Sequence, residues 1–227
     1  MEKKNNFKEK TLFIPDGVLF DMDGLMLDTE RLELDLYVEI SKTMGWPTPY
    51  IKLKNTIGMG DTEAEAYYKK EYGSDYPFWE IWSAVTEEET RYGDQNGLPV
   101  KKGVLGMLKK LKNLGIPMAV ATSTKSPRAR WKLERSGLLD YFNVFACGDE
   151  IINGKPAPDI FLLAAKKLGK KPENCIGFED SAAGLAGLSG AGIRSVFVKD
   201  IADPAPEILA TVWKQYTNLE EAAELFD

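Results

Sequence analysis

The apolar positions of the chain change period twice. Before residue 29 and after residue 98, short continuous apolar runs alternate with helical patterns. The first run, Val18-Leu19-Phe20, stops abruptly at Asp21-Met22-Asp23-Gly24. Further runs are Met118-Ala119-Val120-Ala121, Val144-Phe145-Ala146-Cys147, Asn174 to Phe178 and Ser195 to Val198. Runs of this kind, bounded by turn formers, read as strands buried on both faces. Helical stripes fill the intervals. One covers Val104 to Leu114, with Leu105, Leu108, Leu111 and Leu114 on one face and Gly115 beyond it. Others cover Ser126 to about Ser136, Pro158 to Leu168 with Gly169 as terminator, and Ser181 to about Ser189. The tail, Ile208 to Trp213 and then Leu219 to Leu225, also reads as helical. Such alternation predicts an α/β fold, a doubly wound parallel sheet with helices on both faces.

Between residues 30 and 97 no strand-like alternation occurs. Leu32, Leu34, Leu36, Tyr37, Ile40 and Met44 mark a helix that closes near Gly45 and Pro47, with Asp28 or Thr29 as N-cap. A loop, Thr56 to Asp61, precedes helical patterns over Thr62 to about Tyr72 and about Tyr76 to Tyr92. Gly93-Asp94-Gln95-Asn96-Gly97-Leu98-Pro99 is dense in turn formers and marks the return. The expected organisation is therefore a core of residues 1–29 and 98–227 with an all-helical domain, 30–97, inserted into it. The insertion holds 14 acidic against 7 basic residues, the remainder 21 against 22. Nearly all of the net charge of −6 thus lies on the helical segment.

That acidity argues against non-specific nucleic-acid binding. No apolar run approaches the roughly 20 residues needed to span a bilayer, and Met1 to Lys10 lacks the apolar region of a secretory leader. Cys147 and Cys175 both sit in apolar surroundings, which predicts buried free thiols and a reducing, cytoplasmic setting. The chain has no histidine. His-based triads, His metal sites and His general bases are excluded, so proton transfer near neutral pH falls to carboxylates, Lys, Tyr, Cys or metal-bound water.

The candidate chemistry lies where strands end. Asp21 and Asp23 would stand at the carboxyl edge of a parallel sheet, where open α/β sheets bind ligands. Two carboxylates so close resist joint ionisation unless a cation or a shared proton relieves them. Mg2+ is the simplest relief, since it takes one or two carboxylates together with substrate phosphate oxygens. A solvated acidic turn is the plainer alternative. The second strand ends in Thr122-Ser123-Thr124, hydroxyls and free amides before a helix, either an anion site or simply an N-cap. Lys155 lies in Gly154-Lys155-Pro156-Ala157-Pro158, where two prolines stiffen its setting. The run Ile176-Gly177-Phe178 meets Glu179 and Asp180, metal ligands or merely acids at a helix N-terminus.

In order and spacing these four stretches resemble the four motifs of the haloacid dehalogenase superfamily. The first, Asp21-Met22-Asp23-Gly24 through Asp28-Thr29, resembles the pattern of its phosphatases and phosphomutases, and the insertion resembles their helical cap. Similarity is greatest to the β-phosphoglucomutase-like subgroup. The run Asp28-Thr29-Glu30-Arg31-Leu32 is similar to pseudouridine-5′-phosphatase-like members. The resemblance implies an Mg2+-dependent phosphatase that hydrolyses a small phosphate monoester through an aspartyl-phosphate. Asp21 would be the nucleophile and Asp23 the acid–base. Thr122 and Lys155 would bind the phosphoryl group. Asp21, the Asp23 backbone carbonyl and Asp180 would hold the metal, with Glu179 as an outer ligand. A sugar phosphomutase is the alternative, and a non-catalytic binding module a remote one. Related mutases place an Arg in a Gly-x-x-Arg loop and a His on the first cap helix. Here those positions are Asp61 and Glu33, which favours hydrolysis. Glu30, Glu33, Tyr37, Gly60, Asp61 and Ser123 are the expected substrate contacts. The expected partner is a small phosphorylated metabolite, without nucleic acid or membrane, for a monomer or weak dimer.

Overall fold

The structure, a computed structural model, describes residues 13–56, 61–201 and 203–227. Six parallel strands form one sheet in the order β3-β2-β1-β4-β5-β6. They are β1 (Gly17–Phe20), β2 (Met118–Ala121), β3 (Val144–Ala146), β4 (Cys175–Glu179), β5 (Arg194–Val198) and β6 (Lys214–Tyr216). Strand β1 lies centrally, pairing Val18 with Met118 on one side and with Ile176 on the other. Its alternation feeds two cores. Val18 and Phe20 join the cluster built with Leu108, Leu111 and Phe178, while Leu19 joins Ala119, Ile160, Phe161 and Leu188 on the opposite face. Every residue of β1, β2 and β4 is buried. The doubly wound parallel sheet expected from the apolar runs is the fold observed.

Ten α-helices occur among the described residues: α1 (Thr29–Thr43), α2 (Tyr50–Lys54), α3 (Asp61–Tyr72), α4 (Phe78–Asn96), α5 (Val104–Asn113), α6 (Ser126–Arg135), α7 (Asp159–Leu168), α8 (Ala182–Gly190), α9 (Pro206–Leu209) and α10 (Leu219–Ala222). The first four fall between β1 and β2 and enclose their own core of Leu34, Tyr37, Leu53, Tyr68, Tyr76, Phe78, Ile81 and Val85. The chain leaves and re-enters the α/β layer at one place. Leu27 bridges Val100, the Asp28 N–H donates to the Pro99 carbonyl at 2.9 Å, and the Lys101 N–H to the Met26 carbonyl at 2.9 Å. The two connections are thus laced together directly behind Asp21 and Asp23.

Three expectations are corrected. Helix α4 does not stop at the turn formers but runs through Gly93 to Asn96, ending at Gly97 with φ 77°. Tertiary packing overrides local preference there. A Cβ on Gly93 would lie 2.7 Å from the Trp131 ring of α6, so only glycine lets α4 approach so closely, and Asp94 binds Trp131 and Arg135. The tail is not wholly helical, since Lys214–Tyr216 forms the exposed edge strand β6. Helix α2 is an additional short element. Cys147 and Cys175 are buried free thiols, as expected. No helix of the described residues is long and apolar enough to cross a membrane.

Candidate active site

Asp21 follows β1 directly, and its N–H donates to the Phe178 carbonyl at 3.1 Å, so β4 fixes where the carboxylate leaves the sheet. Asp180 follows β4, Glu179 is the last residue of β4, and Thr122 follows β2. Carboxylate oxygens of Asp21, Glu179 and Asp180 all lie within 4.8 Å of one another, and all three residues are buried. The Lys155 ammonium reaches in from the loop before α7. It donates to Asp21 Oδ1 and to Glu179 Oε2, the latter at 2.8 Å, and lies 5.0 Å from the Phe161 ring centre. Glu179 Oε1 accepts from the Ser181 N–H at 3.1 Å and its hydroxyl at 2.7 Å. Both Glu179 oxygens are therefore engaged. Asp180 differs: its Oδ1 is buried with no hydrogen-bond partner.

The residues fit a hard divalent cation. Three carboxylates converge, one oxygen is orphaned, and Gly24 leaves the approach open. With φ at 84°, Gly24 has no side chain, and a Cβ there would sit 2.3 Å from Asp180 Oδ2. A buried unpartnered oxygen costs energy unless something outside the chain satisfies it. Asp21 and Asp180 would hold such a cation, with Glu179 beside it. A second acidic group, Glu30, Asp180 and Asp200, adjoins the first. Asp200 is held by Arg31 at 2.7 Å and by Lys101, and its Oδ2 is likewise buried and unpartnered.

Electrostatics separate the carboxylates. Burial, with Glu179 next to it, raises Asp21 to about 8 in spite of Lys155. Burial, then Glu179 and Asp21, push Asp180 well above the usual carboxylate range. Burial and the charge of Asp200 raise Glu30 to about 8. Asp23 goes the other way. Burial pushes it up, but Lys132 and the hydroxyls of Thr29 and Thr124 outweigh that and hold it below its ordinary value. Its Oδ1 accepts from Thr29 Oγ1 at 2.7 Å and Lys132 Nζ at 2.8 Å, and its Oδ2 from Thr124 Oγ1 at 2.8 Å. The Asp23 side chain faces these donors, which leaves only its backbone carbonyl as a candidate for the metal.

The remaining candidates divide. Thr122 is buried at the end of β2, where its Oγ1 accepts the Thr124 N–H at 3.0 Å. Ser123 is exposed next to it, and its carbonyl lies where a Cβ on Gly148 would collide at 2.0 Å. Glu33 comes to the site, bound by Lys132 at 2.9 Å. Tyr37 does not. It is fully buried among Tyr68, Tyr76 and Trp82, with its hydroxyl 2.9 Å from that of Tyr76. Tyr37 follows the apolar stripe of α1 inward, so its expected role as a substrate contact is withdrawn. Gly60 and the side chain of Asp61 lie outside the described residues. Residues not anticipated are Lys132, Glu89 and Asp200, and Thr124, expected among the anion-site hydroxyls, instead donates to Asp23. Asp200 follows β5 by two positions, so the rule that found Asp21 and Asp180, polar groups beyond an apolar strand, points to it as well.

Strand ends this far apart in sequence, converging on one carboxylate cluster with a buried lysine, match the motif order set out above. A family model described as haloacid dehalogenase-like hydrolase matches residues 15–192. The chain belongs to that family. A "Phosphorylated carbohydrates phosphatase" of Thermotoga maritima is 32% identical over 189 residues, 83% of this chain and 84% of that protein. A Drosophila melanogaster protein described as "Probable pseudouridine-5'-phosphatase" is 34% identical over 167 residues, 71% of each. The solved structure of CbbY from Rhodobacter sphaeroides in complex with phosphate superposes with a TM-score of 0.76 at 27% identity. It covers 92% of this chain and 96% of that one. Membership of this family, with relatives of this kind over most of its length, makes the protein a phosphoric monoester hydrolase.

Proposed function

We propose that the protein is an Mg2+-dependent phosphatase of small phosphate monoesters, acting through an aspartyl-phosphate on Asp21. The observation that carries this reading is the convergence of Asp21, Asp180, Glu179 and Lys155 in one buried cluster containing an orphaned carboxylate oxygen. Mg2+ bound there supplies charge neutralisation for the phosphoryl oxygens and for the carboxylates that hold it. In the first half-reaction an Asp21 oxygen attacks phosphorus, the bond to the leaving oxygen breaks, and Asp23 gives that oxygen a proton. In the second, water attacks phosphorus, Asp23 takes the proton of the water, and the bond to Asp21 breaks. Lys155 and the amides beyond β1 and β2 stabilise charge on the phosphoryl group, with Thr122 as a further donor. Phosphoryl transfer depends chiefly on such positioning and electrostatics.

The helices between residues 29 and 96 serve as a cap over the sheet edge, and residues 30–97 form the inserted domain. Glu30, Glu33 and Ser123 face the leaving group. The substrate is a sugar, polyol or nucleoside phosphate, a class supported by relatives named for phosphorylated carbohydrates, pseudouridine 5′-phosphate and fructose 1-phosphate. The mutase alternative is weaker. The position of the mutase histidine holds Glu33, and among the described residues the buried cations nearest Asp23 and Asp21 are already engaged with carboxylates. Little is left to grip a second phosphate. Release of p-nitrophenol from its phosphate ester, with Mg2+ and with chelator, tests the class. Turnover is expected only with Mg2+ and is expected to vanish in Asp21→Asn. Surviving turnover in Asp21→Asn defeats the nucleophile assignment. A panel of sugar, polyol and nucleoside phosphates then ranks substrates.

A further inference from the structure

Lys132 is a lysine in an unusual place. It lies on α6, with its side chain only 5% exposed, on the buried face that also carries Ala129 and Leu133. Three carboxylates of different elements surround its ammonium: Asp23 Oδ1 at 2.8 Å, Glu33 Oε1 of α1 at 2.9 Å and Glu89 Oε1 of α4 at 3.2 Å. Arg128, one turn earlier on α6, also binds Glu89, and donates to Thr90 Oγ1 at 2.7 Å. On the other side, Asp23 Oδ1 accepts from Thr29, one turn before Glu33 on α1. A closed circuit therefore runs from Asp23 through Thr29 and α1 to Glu33, then to Lys132 and back to Asp23. A branch reaches α4 through Glu89.

Stability is a poor reason for this arrangement. Burying an ammonium with three carboxylates carries a desolvation cost that apolar side chains of the same volume avoid. What the arrangement does provide is a fixed position for one carboxylate relative to two helices of the insertion. We propose that Lys132 is a positioning residue that sets the Asp23 carboxylate against α1 and α4 and makes its placement depend on how those helices sit over the sheet edge. This rests on the reading of Asp23 as proton donor to the leaving group. It adds that the donor is aimed from outside the four motifs, by one lysine of α6.

Leaving groups distinguish aiming from folding. p-Nitrophenolate leaves without a proton, whereas the alkoxide of a sugar or simple alcohol needs one. The experiment measures kcat and KM, with saturating Mg2+, for p-nitrophenyl phosphate and for an alkyl phosphate the enzyme turns over. The proteins are the parent, Asp23→Asn, Lys132→Met, Lys132→Arg and Glu89→Gln. Asp23→Asn is the reference and should lose much more on the alkyl ester. Lys132→Met should lose kcat by ~10²-fold or more on the alkyl ester, within the range for general acid catalysis. On p-nitrophenyl phosphate it should lose only a few-fold, with KM nearly constant for both. Lys132→Arg keeps the charge and should recover part of the loss. Glu89→Gln, which leaves the Lys132–Asp23 contact intact and lies outside the proposed substrate contacts, should show the same grading more weakly. It carries the test alone if Lys132→Met does not fold. Equal losses on both esters, with Asp23→Asn still graded, overturn the positioning role. An ungraded Asp23→Asn instead overturns the acid assignment itself.

Discussion

The carboxylates of the site couple metal binding, proton uptake and stability in a way that a simple unfolding experiment reads out. In the metal-free protein Asp21 and Glu30 are each raised to about 8, and Asp180 and Glu33 lie above their ordinary values, with burial the first cause in every case. In the unfolded chain these groups titrate near 4. Between those limits the native state holds protons that the unfolded state has released. Stability must therefore fall as pH rises through this window and level off above about 8. One carboxyl shifted in this way contributes a slope of ~1.4 kcal/mol per pH unit, on the order of 4 kcal/mol between pH 5 and pH 8. Interaction among Asp21, Glu30 and Asp180 spreads their titration over the window. Groups with depressed values, Asp23 among them, act below the ordinary carboxylate range, where the sign is reversed. Shifted Cys, Tyr and Lys groups act above pH 9. Because the chain has no histidine, apart from its amino terminus little else titrates between pH 5 and pH 8.5.

The assay is urea unfolding with chelator and with excess Mg2+, at intervals from pH 5 to pH 8.5. With chelator the free energy of unfolding should decline steadily toward pH 8. With Mg2+ the decline should flatten, because a cation bound only by the native state stabilises it most where the carboxylates are ionised. Calorimetry in buffers of different ionisation enthalpy should show protons leaving the protein on Mg2+ binding near neutral pH. Asp21→Asn, which mimics the protonated acid, should be more stable than the parent with chelator at pH 8.5 although it is inactive. Metal-free stability that is flat or rising from pH 5 to pH 8 would refute the reasoning, as would Mg2+ binding without proton release.

Two further substitutions probe the geometry. Gly24→Ala places a Cβ at φ 84° and 2.3 Å from Asp180 Oδ2, so it should destabilise by roughly 1–2 kcal/mol from backbone conformation alone. It should also weaken Mg2+ binding measured by calorimetry, because Asp180 must move. Tyr37→Phe removes a hydroxyl bonded only within the helical core, so urea unfolding should show a loss of about 1 kcal/mol while kcat/KM stays unchanged. A large rise in KM would return Tyr37 to the substrate site.

The sheet was legible because β1, β2 and β4 are buried on both faces, which leaves continuous apolar runs in the sequence. The core of the site was legible for a related reason. A polar group directly beyond such a run has one place to go, the carboxyl edge, and Asp21, Thr122 and Asp180 all occupy it. What escaped depends on partners distant in the chain. Gly93 and Asn96 look like turn residues until Trp131 packs on α4. Lys214-Gln215-Tyr216 shows no apolar alternation because β6 is an exposed edge. Lys132 stands between Trp131 and Leu133 in a helix rich in Arg and Lys, and reads as one more solvated charge. Only Asp23, 109 residues earlier, reveals otherwise. Tyr37 was misassigned because its phenol tip invites a polar role that Tyr76 already fills.

The two aspartates of the first motif are pushed apart by their surroundings, and the direction is informative. Divergent environments around paired carboxylates usually mark a division of labour between acid and base. In the metal-free protein the order is the reverse of what the proposed mechanism requires. Asp21, the proposed nucleophile, is raised to about 8, and Asp23, the proposed proton donor, is held below its ordinary value. Both perturbations have removable causes. Asp21 ionises readily once the negative charge of Glu179 and Asp180 beside it is neutralised. Asp23 is depressed by Lys132 and the two threonine hydroxyls, the same contacts that fix where its carboxylate sits. The first change needs a cation at the Asp21–Asp180 cluster. The second perturbation is the counterpart of the positioning proposed above: Lys132→Met relieves it, so a loss of kcat in that variant reports misplacement and not a shifted pKa. On the proposed roles the nucleophile is therefore only partly ionised near neutral pH until a cation binds beside it. Single-turnover reactions with p-nitrophenyl phosphate at pH 7 should therefore be much slower with chelator than with Mg2+. A burst of p-nitrophenol at pH 7 as fast with chelator as with Mg2+ would mean that Asp21 is already anionic, and the ordering argued here would fail.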